Sequence, residues 1–226
     1  MEDTLPVVEP PSEYEADSVV AGVLLAAGMS TRYGDENKLL TKLDSSSSRA
    51  IDDSNKTRRS DGIPIVRQSA MTLIDAGLDP VVVIVGHQST KVMEALTGLD
   101  VTIVENPDYE SGQGSSVRAG IRALGTDDNA VEAAVFALGD MPFIRPESVR
   151  ALVSAYEAGV GSALAAGYNN DRGNPVLFDR KHFPNLADCK GDVGGKHVLL
   201  SVDDAVIVNT GDPGVLRDIN QREDHI

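Results

Sequence analysis

Four short apolar runs in this chain each stop at a glycine or at an Asn-Pro pair. Residues 19–25 (VVAGVLL) end in Ala26, Ala27 and Gly28, and residues 81–85 (VVVIV) end in Gly86-His87. Residues 101–104 (VTIV) lead to Asn106-Pro107, and residues 133–138 (AAVFAL) stop at Gly139-Asp140. Runs that are apolar at every position, rather than at every second one, mark strands covered on both faces, as in a parallel sheet. Helical patterns separate them. Val66, Ala70, Leu73 and Ile74 follow Pro64 on one face, closing near Gly77; Val92, Met93 and Leu96 follow a capping Ser89 and end at Gly98. Val117, Ile121 and Leu124 follow Gly114-Ser115-Ser116, and Val149, Leu152, Val153 and Tyr156 follow Pro146. Residues 163–166, 175–178 and 205–208 supply later strands. The alternation predicts an α/β fold, a three-layer α/β/α sandwich with a mostly parallel sheet. Such sheets take ligands at the carboxyl ends of their strands, which right-handed crossovers bring to one edge.

The 226 residues suit one domain. Residues 1–17 hold six acids and three prolines and are expected to be a disordered acidic tail. Residues 18–226 form the folded domain, interrupted at about residues 44–61 by an irregular serine-rich stretch expected to be a mobile insertion. No apolar run reaches the roughly 18 residues of a membrane span, and the N-terminus is acidic, so a cytoplasmic protein is expected. One cysteine excludes an internal disulfide, and the four scattered histidines offer no zinc site. The net charge of −15 speaks against a nucleic-acid partner. Aspartates outnumber glutamates 23 to 12 and lysines number 7, which points to a halophilic source. An acidic surface stays hydrated and repels itself little once about 1 M salt shortens the Debye length to about 3 Å.

The loop after the first run carries Ser30, Arg32, Gly34 and Lys38. Small residues that admit an anion to the backbone, followed by two cations, suit a phosphate cradle; a plain strand-turn is the other reading. Its spacing matches neither a Walker A loop nor the dinucleotide G-x-G-x-x-G. Asp140, at the end of the fourth run, is placed to hold Mg²⁺ or simply to cap a turn. The segment 112–116 (GQGSS) opens a helix that can receive an anion or a base edge.

In combination, LLAAGMSTRYG…NKLL, VVVIVGH, GQGSSVRAGI, ALGDMP, RGNPVLF, GDVGGKHVLL and VLRDINQRED resemble the MobA/MocA-like nucleotidyltransferases, especially the molybdenum cofactor cytidylyltransferase branch. The resemblance spans about residues 19–224 and implies the nucleotide-diphospho-sugar transferase fold (GT-A-like, Rossmann-like). It implies Mg²⁺-dependent transfer of NMP from an NTP, CTP before GTP, to a phosphate monoester, with pyrophosphate released. The acceptor would be a molybdopterin-type cofactor, with a molybdoenzyme as a further partner. Leu25, Ala26, Ala27, Gly28, Ser30, Arg32 and Lys38 would then contact the nucleotide, together with Gly86, Asn106, Gly114, Ser115 and Ser116. Arg32, Lys38 and Asp140 would be catalytic, with the metal on Asp140 and Asn220. Where relatives carry Asp-Ile-Asp near the C-terminus, this chain has Asp218-Ile219-Asn220, and it has Asn174 where many have His. Guanylyl transfer, a sugar 1-phosphate acceptor, and a non-catalytic cofactor-binding maturation factor are the alternatives.

Overall fold

The computed structural model describes residues 5–11, 18–29, 37–43, 62–125 and 131–220. The strands are β1 (Val7–Val8), β2 (Val20–Ala26), β3 (Lys42–Leu43), β4 (Ile63–Pro64), β5 (Val81–Val85), β6 (Thr102–Glu105), β7 (Ala133–Leu138), β8 (Ala163–Tyr168), β9 (Asp171–Asp179) and β10 (Ala205–Asn209). The α-helices are α1 (Ile65–Asp75), α2 (Ser89–Ala95), α3 (Gln113–Leu124), α4 (Pro146–Glu157), α5 (Phe183–Ala187) and α6 (Lys196–Ser201).

Eight strands form one sheet in the order β1-β10-β8-β9-β7-β2-β5-β6. Neighbours are parallel except where β9 runs against both β7 and β8. Every residue of β5 is buried, as the uninterrupted VVVIV run requires. The two faces carry separate cores. Leu24, Val83 and Val135 look toward α1, α2 and α4 through Leu73, Leu96 and Leu152. Val23, Ile84 and Phe136 look toward α3, α5 and α6 through Val117, Leu186 and Leu199. The result is the expected three-layer α/β/α sandwich. α3 lies tight on β2 because residue 120 is glycine; a Cβ there would stand 2.6 Å from Val23 Cγ1.

Several sequence expectations need correction. Within the supposed disordered tail, residues 5–11 are placed, and Val7–Val8 pair parallel with Ile207 and Val208 on the sheet edge. Two valines are enough to extend a ladder once an apolar edge strand offers one. Their acidic and proline-rich flanks hid that signal. Helix α2 is entered through Gln88 in the left-handed region (φ 53°), so Ser89 is its first residue rather than its cap. Helix α3 begins one residue before Gly114, with Gly112 at the cap position. The insertion at about residues 44–61 lies outside the described residues; its flanks, β3 and β4, pair antiparallel.

At the end of the sheet opposite the strand carboxyl termini, His182 is buried beside β8 and β10. Its Nε2 is 2.8 Å from Ser162 Oγ, and that hydroxyl donates to Asp204 Oδ1 at 2.6 Å. Burial, and then the neighbouring Lys181, lower the His182 pKa from the ordinary 6.5, outweighing the opposing pull of Asp179 and Asp204. The unfolded chain therefore binds this proton at a higher pH than the folded one. Stability that is complete above pH 6.5 is lost as pH falls through the depressed folded value. We expect the denaturant midpoint of the wild-type protein to fall as pH drops below 6.5. The His182→Gln variant should show a flatter profile across that window in urea titrations.

Candidate active site

Strands β2, β5, β6 and β7 are parallel, so the loops that follow them gather at one edge of the sheet. The pairing of β2 with β7 is the tightest constraint there. Leu25 stands opposite Leu138, and Gly139 N–H donates to Leu25 C=O at 2.9 Å, extending the ladder one step into the loop. Gly139 closes against Ala26, and the next residue is Asp140.

Lys38 reaches the same point from a 3-10 turn, Lys38–Leu40. Asn37 caps that turn through Oδ1, which accepts from Leu39 N–H at 3.1 Å. Its Nδ2 donates to His87 C=O at 3.2 Å, tying the turn to the loop after β5, while buried Leu39 anchors it from below. Lys38 Nζ then lies 2.6 Å from Asp140 Oδ2 and 3.4 Å from Asn220 Oδ1. The pair is well sheltered, its side chains only 15% and 19% exposed. Asn220 arrives on an irregular C-terminal strap, where Ile219 N–H donates to Asp140 C=O at 2.9 Å. Asn220 Nδ2 also donates to Asp218 Oδ2 at 2.7 Å.

These groups border a cleft of about 300 Å³ whose walls include Leu25, Ala27, Gly28, Lys38, Ser116, Asp140 and Asn220. All seven belong to the set expected from the sequence. The first turn of α3 forms another wall through Gly112, Gln113 and Ser116; the turn carries no carboxylate of its own, and Asp192 Oδ1 lies against its cap residue Gly112.

Other expected contacts do not reach the wall. Ala26 is buried in the sheet, and Gly86 is packed against Tyr109 and Ala27, where a Cβ would meet Tyr109 Cβ at 2.7 Å. Asn106 is buried, its Nδ2 donating to Ser115 Oγ at 2.8 Å and Ser116 Oγ at 3.1 Å while its Oδ1 accepts from Asp108 N–H. It organises the α3 entry from behind. Ser115 Oγ is turned back on Gly112 C=O at 2.8 Å, and Gly114 sits against the backbone of Cys189 and Lys190. Ser30 and Arg32 lie outside the described residues. The sequence reading missed Met29, Leu39, Tyr109, Glu110, Leu138 and Asp192 as cleft residues. Tyr109 and Glu110 belong to a 3-10 turn and Asp192 to another, where no periodicity flags a side chain.

A second cavity of about 410 Å³ adjoins the first, and Leu25, Leu138, Gln113 and Asp192 belong to both. Phe136, Val176 and Phe178 are among its apolar lining residues, and Arg172, Asn174 and Lys196 join the shared Gln113 and Asp192 as its polar ones.

Two hard oxygens, from Asp140 and Asn220, share one ammonium, so a positive charge already stands between them. That donor set suits a divalent cation such as Mg²⁺, which needs only one or two protein oxygens beside substrate phosphates and water. Among the described residues there is no group of three or more His, Cys, Asp or Glu that holds a metal by itself. None of the helices there is long and apolar enough to cross a membrane.

A mostly parallel α/β sandwich with a cation, a carboxylate and a helix N-terminus around one strand-end cleft defines a nucleotide-handling α/β protein. The MobA-like NTP transferase domain model matches residues 22–207, and the chain belongs to that family; it is a nucleotidyltransferase. It is 30% identical to the nicotine blue oxidoreductase of Paenarthrobacter nicotinovorans, over 80% of this chain and 81% of that one. It is 28% identical to the purine catabolism protein PucB of Bacillus subtilis, covering 90% and 93%. Its fold matches a nucleotidyl transferase from Methanothermobacter thermautotrophicus with a TM-score of 0.69 at 21% identity, over 92% and 94% of the two chains.

Gly112 links the two cavities' shared wall to α3. Its φ of 91° lies in the region that favours glycine, and a Cβ there would collide with Asp192 Oδ1 and stand 2.6 Å from Gly191 C. The backbone conformation alone costs a non-glycine residue roughly 1–3 kcal/mol. We expect Gly112→Ala to be destabilised by at least about 1 kcal/mol, read as a lowered urea midpoint, with weakened nucleotide binding in fluorescence titration.

Proposed function

We propose that the chain transfers a nucleoside monophosphate from CTP to the phosphate monoester of a molybdopterin-type cofactor, with release of pyrophosphate. The observation that carries this reading is the meeting of Lys38, Asp140 and Asn220 in a cleft that also takes in Gly28 and the first turn of α3. Cation, hard oxygens and helix N-terminus are the three elements a triphosphate needs. Cytidine rather than guanosine, and this acceptor rather than a sugar 1-phosphate, rest on the sequence motifs.

The acceptor phosphate is already anionic and needs no strong base. The chain's contribution is therefore alignment and charge compensation at the α-phosphorus. Lys38 offsets negative charge gathering on the leaving pyrophosphate, and the first turn of α3 offers the positive end of a 12-residue helix to a phosphate. Arg32 is assigned the same task as Lys38 on the strength of the motif. Asp140 and Asn220 would hold magnesium, which when bound draws charge from the phosphate oxygens. Asp140 has a further duty: it fixes the Lys38 ammonium at 2.6 Å, so the cation is oriented before substrate arrives. The second cavity lies on the far side of the shared wall and is where the acceptor's body is placed in this reading.

Loss of one pre-positioned group of this kind costs about 3 kcal/mol, or 100-fold and more in rate. Asp140→Ala and Lys38→Ala should each lower pyrophosphate release from CTP and purified molybdopterin by at least about that factor, with unchanged circular dichroism. Undiminished transfer by Asp140→Ala would refute the metal assignment. The same assay across each NTP separates cytidylyl from guanylyl transfer, and absence of pyrophosphate with every NTP would overturn molybdopterin as the acceptor.

The net charge of −15 motivates a second expectation. We propose a salt-adapted protein, whose activity and thermal midpoint fall together as KCl is lowered from about 1 M toward 0.1 M, where the Debye length grows to about 10 Å. Full activity and stability at the lower salt would count against it.

A further inference from the structure

We infer that Asp212 is a positioning residue: its buried carboxylate clamps the C-terminal strap onto the start of α4 and so holds the Asn220 amide oxygen beside Asp140. This rests on the reading of Asp140 and Asn220 as cation ligands.

Asp212 is 3% exposed, and both its oxygens are occupied. Oδ2 accepts from Arg145 N–H at 2.9 Å and from Ser148 Oγ at 2.7 Å; Oδ1 accepts from Gly214 N–H at 2.9 Å and faces Arg145 Nε at 3.3 Å. The Arg145 guanidinium also donates to Gly211 C=O at 2.9 Å. A carboxylate removed from water is tolerated when this many donors replace its hydration.

What makes the clamp more than a local turn is where its donors come from. Arg145 and Ser148 lie on the same stretch of chain that carries Asp140, from the end of β7 into α4. The strap that Asp212 starts returns to that stretch seven residues later, where Ile219 N–H donates to Asp140 C=O. Asp140 and Asn220 are thus joined by a closed ring: down the chain to Arg145 and Ser148, across to Asp212, and back along the strap. Between its ends the strap has a 3-10 turn, Pro213–Leu216, and no sheet ladder to hold it. Gly214 passes so close to Phe143 that a Cβ would stand 2.6 Å from its carbonyl carbon, and the Arg217 guanidinium lies 4.0 Å over the Phe143 ring. The strap is thus pinned at its start by Asp212, and the buried side chains of Val215 and Ile219 carry that register on toward Asn220.

Asp212→Asn keeps the shape but turns one acceptor into a donor facing N–H groups. The test uses the full chain and two readouts that need no turnover: Mn²⁺ affinity by electron paramagnetic resonance, and hydrogen exchange of the Ile219 amide. Asp212→Asn should weaken Mn²⁺ binding about tenfold, the lower end of what loss of supporting contacts around a metal ligand costs. It should also speed Ile219 exchange at least about tenfold while amides of β5 keep their protection. Ser148→Ala, which removes one donor and leaves the carboxylate, should move both readouts the same way by a smaller factor, and it decides the matter if Asp212→Asn does not fold. Wild-type Mn²⁺ affinity and wild-type Ile219 exchange in a folded variant, whatever its melting temperature, overturn the inference. If the wild-type protein shows no Mn²⁺ binding that Asp140→Ala removes, the cation reading fails instead, and Ile219 exchange still judges the clamp.

Discussion

Parallel pairing of β2 with β7 places everything else at the site. Because side chains alternate across a strand, a slip of one residue would turn Leu25 and Leu138 to the opposite face and carry the following loops with them. The register is held by burial on both sides: Leu24 and Val135 fill one core, Val23 and Phe136 the other. Gly139 then continues the ladder to Leu25 with no side chain to hold the strands apart. Asp140 and Gly28 come to line one cleft for reasons of packing, before any chemistry is considered.

That arrangement sets an electrostatic problem. A chain with 35 acids and 20 Lys plus Arg must accept a polyanion. Its answer is local rather than global. Lys38 is held against Asp140 in a sheltered position where screening by water is weak, and α3 points a helix N-terminus at the same cleft. Long-range steering of an anion toward this protein would be unfavourable in dilute buffer. Short-range compensation survives in strong salt, where the repulsive field of the surface does not.

What could be read in the sequence follows from the same physics. Strands buried on both faces leave long apolar runs, and the residue after each run is the residue at the sheet edge. Asp140 and Gly28 were legible for that reason, and Lys38 as a cation in the loop that follows Gly28. Gly86 and Asn106 occupy equally conspicuous positions yet serve packing: Gly86 makes room for Tyr109, and Asn106 spends its amide on Ser115 and Ser116. Position after a strand cannot tell an outward-facing group from an inward-facing one. Tyr109, Glu110 and Asp192 were silent because 3-10 turns carry no repeat. β1 was hidden because two residues make no pattern, and β9 gave no sign of running antiparallel because direction is not written in a strand's own composition.

In the proposed reading the two cavities divide the chemistry between them. The first holds Lys38, Asp140 and the α3 turn, the features common to any enzyme that handles a triphosphate; it says little about what receives the nucleotide. The second is walled by Phe136, Val176 and Phe178 and carries Arg172, Asn174 and Lys196. Any phosphorus passing between molecules held in the two spaces must cross the wall formed by Leu25, Leu138, Gln113 and Asp192. Three of those four lie within two residues of the strand ends or the α3 entry that fix the first cleft, so the same sheet register that places the donor site also places the crossing point.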